Sequence, residues 1–122
     1  MDINKILENL LFYRNSNGKS PIFDYYKNLD KKIKIALYIS LLIENNGKLG
    51  MPYSRHILDK IWELRVDFDK NYYRIFYFIF TGKQIVFLHG FNKKTNKTPS
   101  KEIKKAKNNY DDFIDNLNFI KL

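Results

Sequence analysis

The segment Ile61–Pro99 constrains the fold more strongly than any other part of the chain. It reads IWELRVDFDKNYYRIFYFIFTGKQIVFLHGFNKKTNKTP and is rich in aromatic residues. Apolar and charged residues alternate over Ile61–Phe68, which is the period of a half-buried strand. The pattern predicts three consecutive strands, Ile61–Phe68, Tyr72–Phe80 and Gln84–Phe91, followed by a lysine-rich turn. Because a charged residue in a sheet must find a partner, water or a ligand, a functional site is expected here.

The N-terminal residues predict one short element and one short helix. Residues 9–14 have the composition of a short strand or a helix end. Ser20 is placed to cap a helix whose first residue is Pro21, because serine is a favoured cap and proline fits the first helical position. This helix is expected to end near Lys27.

A longer helix and a loop are predicted before the strands. Asp30 can cap this helix, which is expected to end near Asn45 and to stop at Gly47. Apolar residues cover more than one narrow stripe of it, so the helix is expected to be well buried. Four residues are then predicted to mark or occupy a loop: Gly50, Pro52, Ser54 and His56.

The chain is expected to close with a helix that begins at Thr98-Pro99. Its apolar stripe consists of residues at helical spacing, namely Ile103, Ala106, Tyr110, Phe113 and Leu117. The predicted fold is therefore α+β. It has N-terminal helices, an antiparallel sheet made of a three-strand meander and an N-terminal strand, and a C-terminal helix. The length of 122 residues predicts a single domain, 1–122.

Composition narrows the classes of function. The chain has no cysteine, which excludes disulfides and thiolate zinc sites. No secretory leader and no apolar run of membrane-spanning length are recognisable, so a cytoplasmic location without a membrane partner is expected. The net charge is +9, and Lys83–Lys107 holds eight lysines but a single acidic residue, Glu102. This basic block favours a polyanion partner such as nucleic acid, although a lysine-rich genome bias would give the same composition.

Loop lengths decide which charged side chains share a face of the sheet, because side chains in a strand alternate between faces. If Gly82-Lys83 is a two-residue hairpin loop, three pairs of residues face each other: Phe78 and Phe87, Phe76 and His89, and Arg74 and Phe91. In the preceding hairpin, a loop of two or four residues puts three charged residues on that same face: Glu63, Arg65 and Asp67. A four-residue loop sets Arg65 opposite Arg74, and a three-residue loop sends the three charges to the other face.

The predicted face collects Glu63, Arg65, Arg74 and His89. Two opposed arginines repel unless an anion or a carboxylate lies between them, so the face is either a phosphate site or an internal network of arginines with Glu63 and Asp67. His89 can move a proton near neutral pH or simply pack in the sheet. Glu63 can act as a base or orient an arginine.

The remaining candidates are aromatic and basic residues that suit single-stranded RNA. Phe91 is the best candidate for base stacking because it ends a strand next to lysines, whereas Tyr72, Tyr73 and Tyr77 are expected to be mostly core. Four lysines can follow a nucleic-acid backbone: Lys93, Lys94, Lys97 and Lys101. There is no glycine-rich phosphate loop, HExxH motif, carboxylate pair for two metals or nucleophile elbow, so an enzyme with these residues is expected to use neither metal nor cofactor. Cleavage of RNA by its own 2′-hydroxyl fits such a residue set.

These residues resemble a known family. The run WELRVDF, YYRIFYF and IVFLHGFNKKTNKTP, followed by EIKKAKNNYDDF, is similar to the phage-derived Gp49-like, or HigB-like, toxins of the RelE/ParE superfamily. The upstream FYRNSNGKSPIFDYY is similar as well, so the resemblance covers roughly residues 10–115. It implies a RelE/ParE-like fold and the toxin of a type II toxin–antitoxin pair, which cleaves mRNA in the ribosome and so inhibits translation.

The resemblance also implies partners and site residues. The partners would be a helix-turn-helix, HigA-like antitoxin, the ribosome and mRNA, with operator DNA reached only through the antitoxin. Basic residues of the central strands and the following turn form the site in such toxins, and Arg65, Arg74, Lys93 and Lys94 occupy these positions. His89 stands where related toxins vary, and the tyrosine that some relatives carry near the last helix has no counterpart in KTPSKE, which leaves the general acid unassigned. The alternatives are a non-enzymatic, ParE-like toxin that binds a protein such as gyrase, and a plain RNA-binding module.

Overall fold

The computed structural model describes residues 3–45, 54–94 and 97–122. These residues form the following elements in chain order: α1 (Ile3–Glu8), β1 (Leu10–Tyr13), α2 (Pro21–Lys27), α3 (Lys31–Asn45), β2 (Ser54–Leu58), β3 (Ile61–Phe68), β4 (Asn71–Ile79), β5 (Ile85–Lys93), α4 (Ser100–Asn116) and β6 (Phe119–Lys121). The described strands make one sheet in the order β2-β3-β4-β5-β1-β6. The α+β fold with N-terminal helices, a mostly antiparallel sheet and a C-terminal helix is confirmed. The β1–β5 pair is parallel, which the prediction of an antiparallel sheet missed.

The two N-terminal caps form as the sequence predicts. Ser20 Oγ accepts a hydrogen bond from the backbone N–H of Phe23 at 3.2 Å and donates one to the carbonyl of Tyr13 at 2.6 Å. Ser20 therefore begins α2 and also fixes it to the end of β1. Asp30 Oδ1 accepts from the N–H of Lys32 at 2.8 Å, which begins α3.

The predicted loop before the meander is partly wrong. Ser54 and His56 lie in a strand, β2, which pairs antiparallel with β3. The loop interpretation followed from the neighbouring proline and serine, whereas pairing with β3 decides the local structure. The predictions for Gly47, Gly50 and Pro52 fall outside the described residues.

Helices cover both faces of the sheet. Phe12 and Phe87 of the central strands pack against α2, with the Phe12 and Tyr26 ring centroids 4.9 Å apart. On the opposite face, Phe78 contacts Phe113 of α4 at a centroid distance of 5.6 Å. Burying these rings on both faces of the sheet stabilises the domain.

The β4–β5 hairpin differs from its predicted form near the turn. Phe80 N donates to Gln84 O at 2.8 Å, so three residues and not two lie between the paired positions. Phe78 therefore faces Val86 rather than Phe87. Beyond Phe87, Leu88 has no paired residue on β4 and shifts the register by one residue. Because of this shift, Phe76–His89 and Arg74–Phe91 pair as predicted.

The β3–β4 hairpin sets the two arginines opposite each other. Phe68 pairs with Asn71, and Arg65 pairs with Arg74, so the opposition that was predicted for a four-residue loop occurs with a two-residue loop. The two loop residues, Asp69 and Lys70, have φ values of 51° and 64°, as a tight hairpin turn that matches strand twist requires. This register puts Glu63, Arg65 and Asp67 on the face that α4 covers in part.

The last helix agrees with the predicted stripe except at its end. Ala106 and Phe113 are fully buried, and Ile103 and Tyr110 are partly buried against the core. Leu117 lies outside α4, in a left-handed conformation with φ of 53°, and is exposed. Its predicted place in the stripe is therefore wrong, because the helix ends one residue earlier. Over residues 3–45, 54–94 and 97–122, no helix is both long enough and apolar enough to span a membrane.

Candidate functional site

Four basic side chains lie on the sheet face next to the start of α4. Arg55 of β2 pairs with Glu63 of β3, and Arg65 of β3 pairs with Arg74 of β4. Lys93 of β5 is on the same face, one same-face position beyond the residue that pairs with Arg74. We call these four residues the basic face: Arg55, Arg65, Arg74 and Lys93. Alternation along four neighbouring antiparallel strands brings them together, although they are up to 38 positions apart in sequence.

Arg74 is the most buried arginine of the basic face. It is 3% exposed, and its Nη1 donates to Asp67 Oδ1 at 2.6 Å and to the carbonyl of Tyr73 at 2.9 Å. Its Nε is also buried, and within the described part of the chain this atom has no hydrogen-bond partner. Arg65, directly opposite, is partly exposed. Like charges repel across a ladder, and the Asp67 carboxylate compensates the charge of Arg74 in this pair.

Glu63 and Thr98 form the buried centre beside these arginines. Glu63 is fully buried, and its Oε2 accepts a hydrogen bond from Thr98 Oγ1 at 2.8 Å. Arg55 Nη2 lies 3.5 Å from Glu63 Oε1 and donates to Thr98 Oγ1 at 3.1 Å. Lys93 Nζ donates to the same hydroxyl at 3.4 Å. Glu63 therefore contacts Arg55 directly and is connected to Lys93 through the Thr98 hydroxyl.

The environment of Lys93 is unusual for a lysine. The residue is 5% exposed. Burial lowers its pKa from the ordinary lysine value, and the positive charges of Arg74, Arg65 and Arg55 lower the pKa further, while the carboxylate of Glu63 opposes them. A lysine with a lowered pKa can exchange a proton more readily than one in water.

His89 belongs to a neighbouring aromatic group. Its Nε2 lies 2.5 Å from Glu102 Oε2. Its ring is nearly parallel to that of Phe76, with an interplanar angle of 8°, and to that of Phe91, at 17°. His89 is thus on the predicted face but is held by a carboxylate of α4, away from the arginine pair.

The other predicted residues surround the start of α4. Phe91, Lys94 and Lys101 line a cavity of about 300 Å³, together with Lys93 and Glu102. Lys94 and Lys101 are exposed. Lys97 is also exposed and lines a separate cleft of about 650 Å³ around the first turn of α4.

Three residues with central positions were missed by sequence reasoning. Arg55 was overlooked because its segment was taken for a loop, although Arg55-His56-Ile57 precedes the meander closely enough to form another strand. Thr98 was identified only as a helix start, and its contact with Glu63 joins positions 35 residues apart. Glu102 was noted only as the single acidic residue among the lysines, and it is 8% exposed.

The fold and the basic face together define a small, strongly cationic α+β protein with an anion-compatible sheet surface. A family model described as "Phage derived protein Gp49-like (DUF891)" matches residues 24–111, which include β2 to β5 and most of α4. The chain belongs to this family, which consists of toxins of toxin–antitoxin systems. The family suggests an antitoxin partner. A search of the curated proteins found no match.

Proposed function

We propose that this protein is the toxin of a type II toxin–antitoxin pair and that it cleaves mRNA in the ribosome. The observation that carries the proposal is the pairing of Arg65 with Arg74, next to Lys93, on one sheet face. Such a face is suited to a phosphodiester, because guanidinium groups bind phosphate oxygens and stabilise the charge that develops on them.

The reaction needs no group beyond side chains and the RNA itself. The 2′-oxygen attacks the adjacent phosphorus, the bond from phosphorus to the 5′-oxygen breaks, and the products carry a 2′,3′-cyclic phosphate and a 5′-hydroxyl. In our proposal Arg65 and Arg74 bind the phosphate, and Lys93, with its lowered pKa, is the candidate for proton transfer. Glu63 acts by positioning the cations around Thr98.

The remaining residues are proposed to hold the RNA. Lys94, Lys97 and Lys101 flank the start of α4 and would follow the backbone by charge attraction. Phe91 would stack on a base, and His89 would keep the neighbouring Glu102 in position. The proposed partner is a helix-turn-helix antitoxin that neutralises the toxin and carries it to operator DNA.

Induction in cells tests the proposal. RNA 5′ ends are mapped on translated messages after expression of the wild type, Arg65→Ala and Arg74→Ala. Arg14→Ala is the matched control, since Arg14 is also partly exposed but follows β1, which β5 separates from β4. We expect new 5′ ends within coding regions for the wild type and the control, and at least a tenfold loss for the two site variants.

Two alternatives predict other results. A toxin that binds gyrase without cleaving RNA would arrest growth with intact messages and would inhibit DNA supercoiling in vitro. A plain RNA-binding module would leave growth unaffected in the absence of an antitoxin. Either result would refute the endonuclease proposal.

A further inference from the structure

The cavity beside the basic face has the features of a site for a single nucleobase. Its volume is about 300 Å³, which is the lower end of the range for small-ligand pockets. Its lining combines an aromatic ring, Phe91, with a carboxylate, Glu102, and with the exposed cations Lys94 and Lys101. An apolar surface with a few convergent polar groups is what a specific ligand site requires.

Phe91 supplies a stacking surface whose orientation is fixed. Its ring lies nearly parallel to Phe76, at a centroid distance of 5.7 Å, and to His89, at 5.9 Å. Phe76 is fully buried, whereas Phe91 is partly exposed. The three ring centroids lie about equally far from one another, and Phe91 contributes a partly exposed ring of this cluster to the cavity. A base stacked on an aromatic side chain gains affinity whatever its identity.

Glu102 supplies the group that can distinguish one base from another. His89 Nε2 contacts Oε2 at 2.5 Å, and Oε1 lies 4.0 Å from Lys105 Nζ, in a long ion pair with an exposed lysine. A carboxylate accepts hydrogen bonds and donates none. Guanine presents two adjacent donors, N1–H and the N2 amino group, on its Watson–Crick edge, whereas each of the other bases places an acceptor next to its donor.

We infer that this cavity binds a guanine base of single-stranded RNA, with Phe91 stacked on the base and Glu102 accepting from its Watson–Crick edge. Lys94 and Lys101 bind the flanking phosphates. The inference rests on the proposed action on RNA and adds a base preference to it. His89 is a positioning residue in this site, since it fixes Glu102 and does not touch the base.

The test measures binding, which requires no cleavage. The four ribonucleoside monophosphates are titrated into the full chain and followed by NMR, and a seven-nucleotide RNA with one guanine in a uridine background is compared with the all-uridine RNA. GMP is expected to bind about tenfold more tightly than AMP, CMP or UMP. The guanine-containing RNA is expected to bind at least tenfold more tightly than GMP, because its phosphates reach Lys94 and Lys101.

Two variants separate recognition from folding. Glu102→Gln keeps the acceptor for His89 but presents an amide donor to the base, so the tenfold preference for GMP should vanish or reverse while the spectrum stays folded. Phe91→Leu should weaken all four nucleotides alike. Glu8→Gln, at an exposed glutamate of α1, is the matched control and should keep the preference.

Each contrary result has a distinct meaning. Equal affinity of the wild type for the four nucleotides, or an unchanged preference in Glu102→Gln, overturns the inference even if the protein cleaves RNA. Equal affinity for GMP and the RNA overturns it as well, because the site would then bind a free nucleotide. Base discrimination with intact messages in cells would support the inference and refute the endonuclease proposal.

Discussion

Glu63 offers the sharpest test of how the basic face is held together. This carboxylate is fully buried and lies between Thr98, at 2.8 Å, and Arg55, at 3.5 Å. Glu63→Ala removes both interactions, so the Thr98 hydroxyl loses its acceptor and Arg55 loses its ion-pair partner. Glu63→Gln keeps an acceptor for Thr98 and removes only the charge. We therefore expect stability to fall in the order wild type, Glu63→Gln, Glu63→Ala.

The size of each effect follows from the contacts. The charge-assisted hydrogen bond from Thr98 contributes about 1.5–3 kcal/mol. The ion pair adds about 1 kcal/mol, because the Arg55 side chain is 41% exposed and solvent screens its charge. Glu63→Ala should therefore reduce the free energy of unfolding by about 3 kcal/mol, and Glu63→Gln by about 1–2 kcal/mol.

Urea denaturation followed by circular dichroism measures both variants. A loss of 3 kcal/mol corresponds to a melting temperature lower by about 12 °C in a domain of this size, so a thermal scan provides a second measurement. Asp69→Asn is the control, since Asp69 is an exposed turn residue and its change should stay within about 0.5 kcal/mol. If Glu63→Ala is as stable as this control, the proposed buried centre does not hold the face together.

Two further predictions concern Gly90 and Lys93. A Cβ at Gly90 would lie 2.7 Å from Tyr25 Cδ1 and 3.0 Å from Ile22 Cδ1, so Gly90→Ala must displace the Tyr25 side chain. This variant should lose about 1–3 kcal/mol in urea denaturation, and an unchanged midpoint would contradict this packing. The pKa of Lys93 is lower in the folded chain than in the unfolded chain, so the unfolded chain binds the proton more tightly. As the pH rises from the folded pKa toward 10.5, Lys93 loses its proton and the free-energy penalty for burying its charge disappears. The stability of the wild type relative to Lys93→Met should therefore increase over this alkaline range, and a difference that does not change with pH would contradict it.

The strands of the meander could be predicted because their pattern is local. Ile61–Phe68 matches β3 at both ends, since alternation and the flanking turn residues mark a strand without reference to the rest of the fold. The opposition of Arg65 and Arg74 followed from the same period once a loop length was chosen. The extra residue at Leu88 could not be predicted, because a bulge depends on how the two strands and α4 fit together.

Contacts between distant segments account for what was missed in the site. Glu63 was expected to pair with Arg65 or Arg74, its neighbours on the sheet, and its contacts with Arg55 and Thr98 were not predicted. Arg74 did find the expected Asp67. Periodicity assigns a residue to a face, whereas the choice among several cations on that face depends on side-chain geometry in the folded chain.

Analysis of RNA products from programmed ribosomes tests the central claim most directly. Purified wild type, Arg65→Lys, Arg74→Lys and Arg14→Lys are incubated with ribosomes translating a defined message, after circular dichroism has shown that each is folded. The account predicts fragments with 5′-hydroxyl and 2′,3′-cyclic phosphate ends for the wild type and Arg14→Lys. It predicts at least a tenfold slower reaction for the other two, because lysine keeps the charge but loses the bidentate contact. Fragments with 5′-phosphate ends, or equal rates for all four proteins, would contradict it.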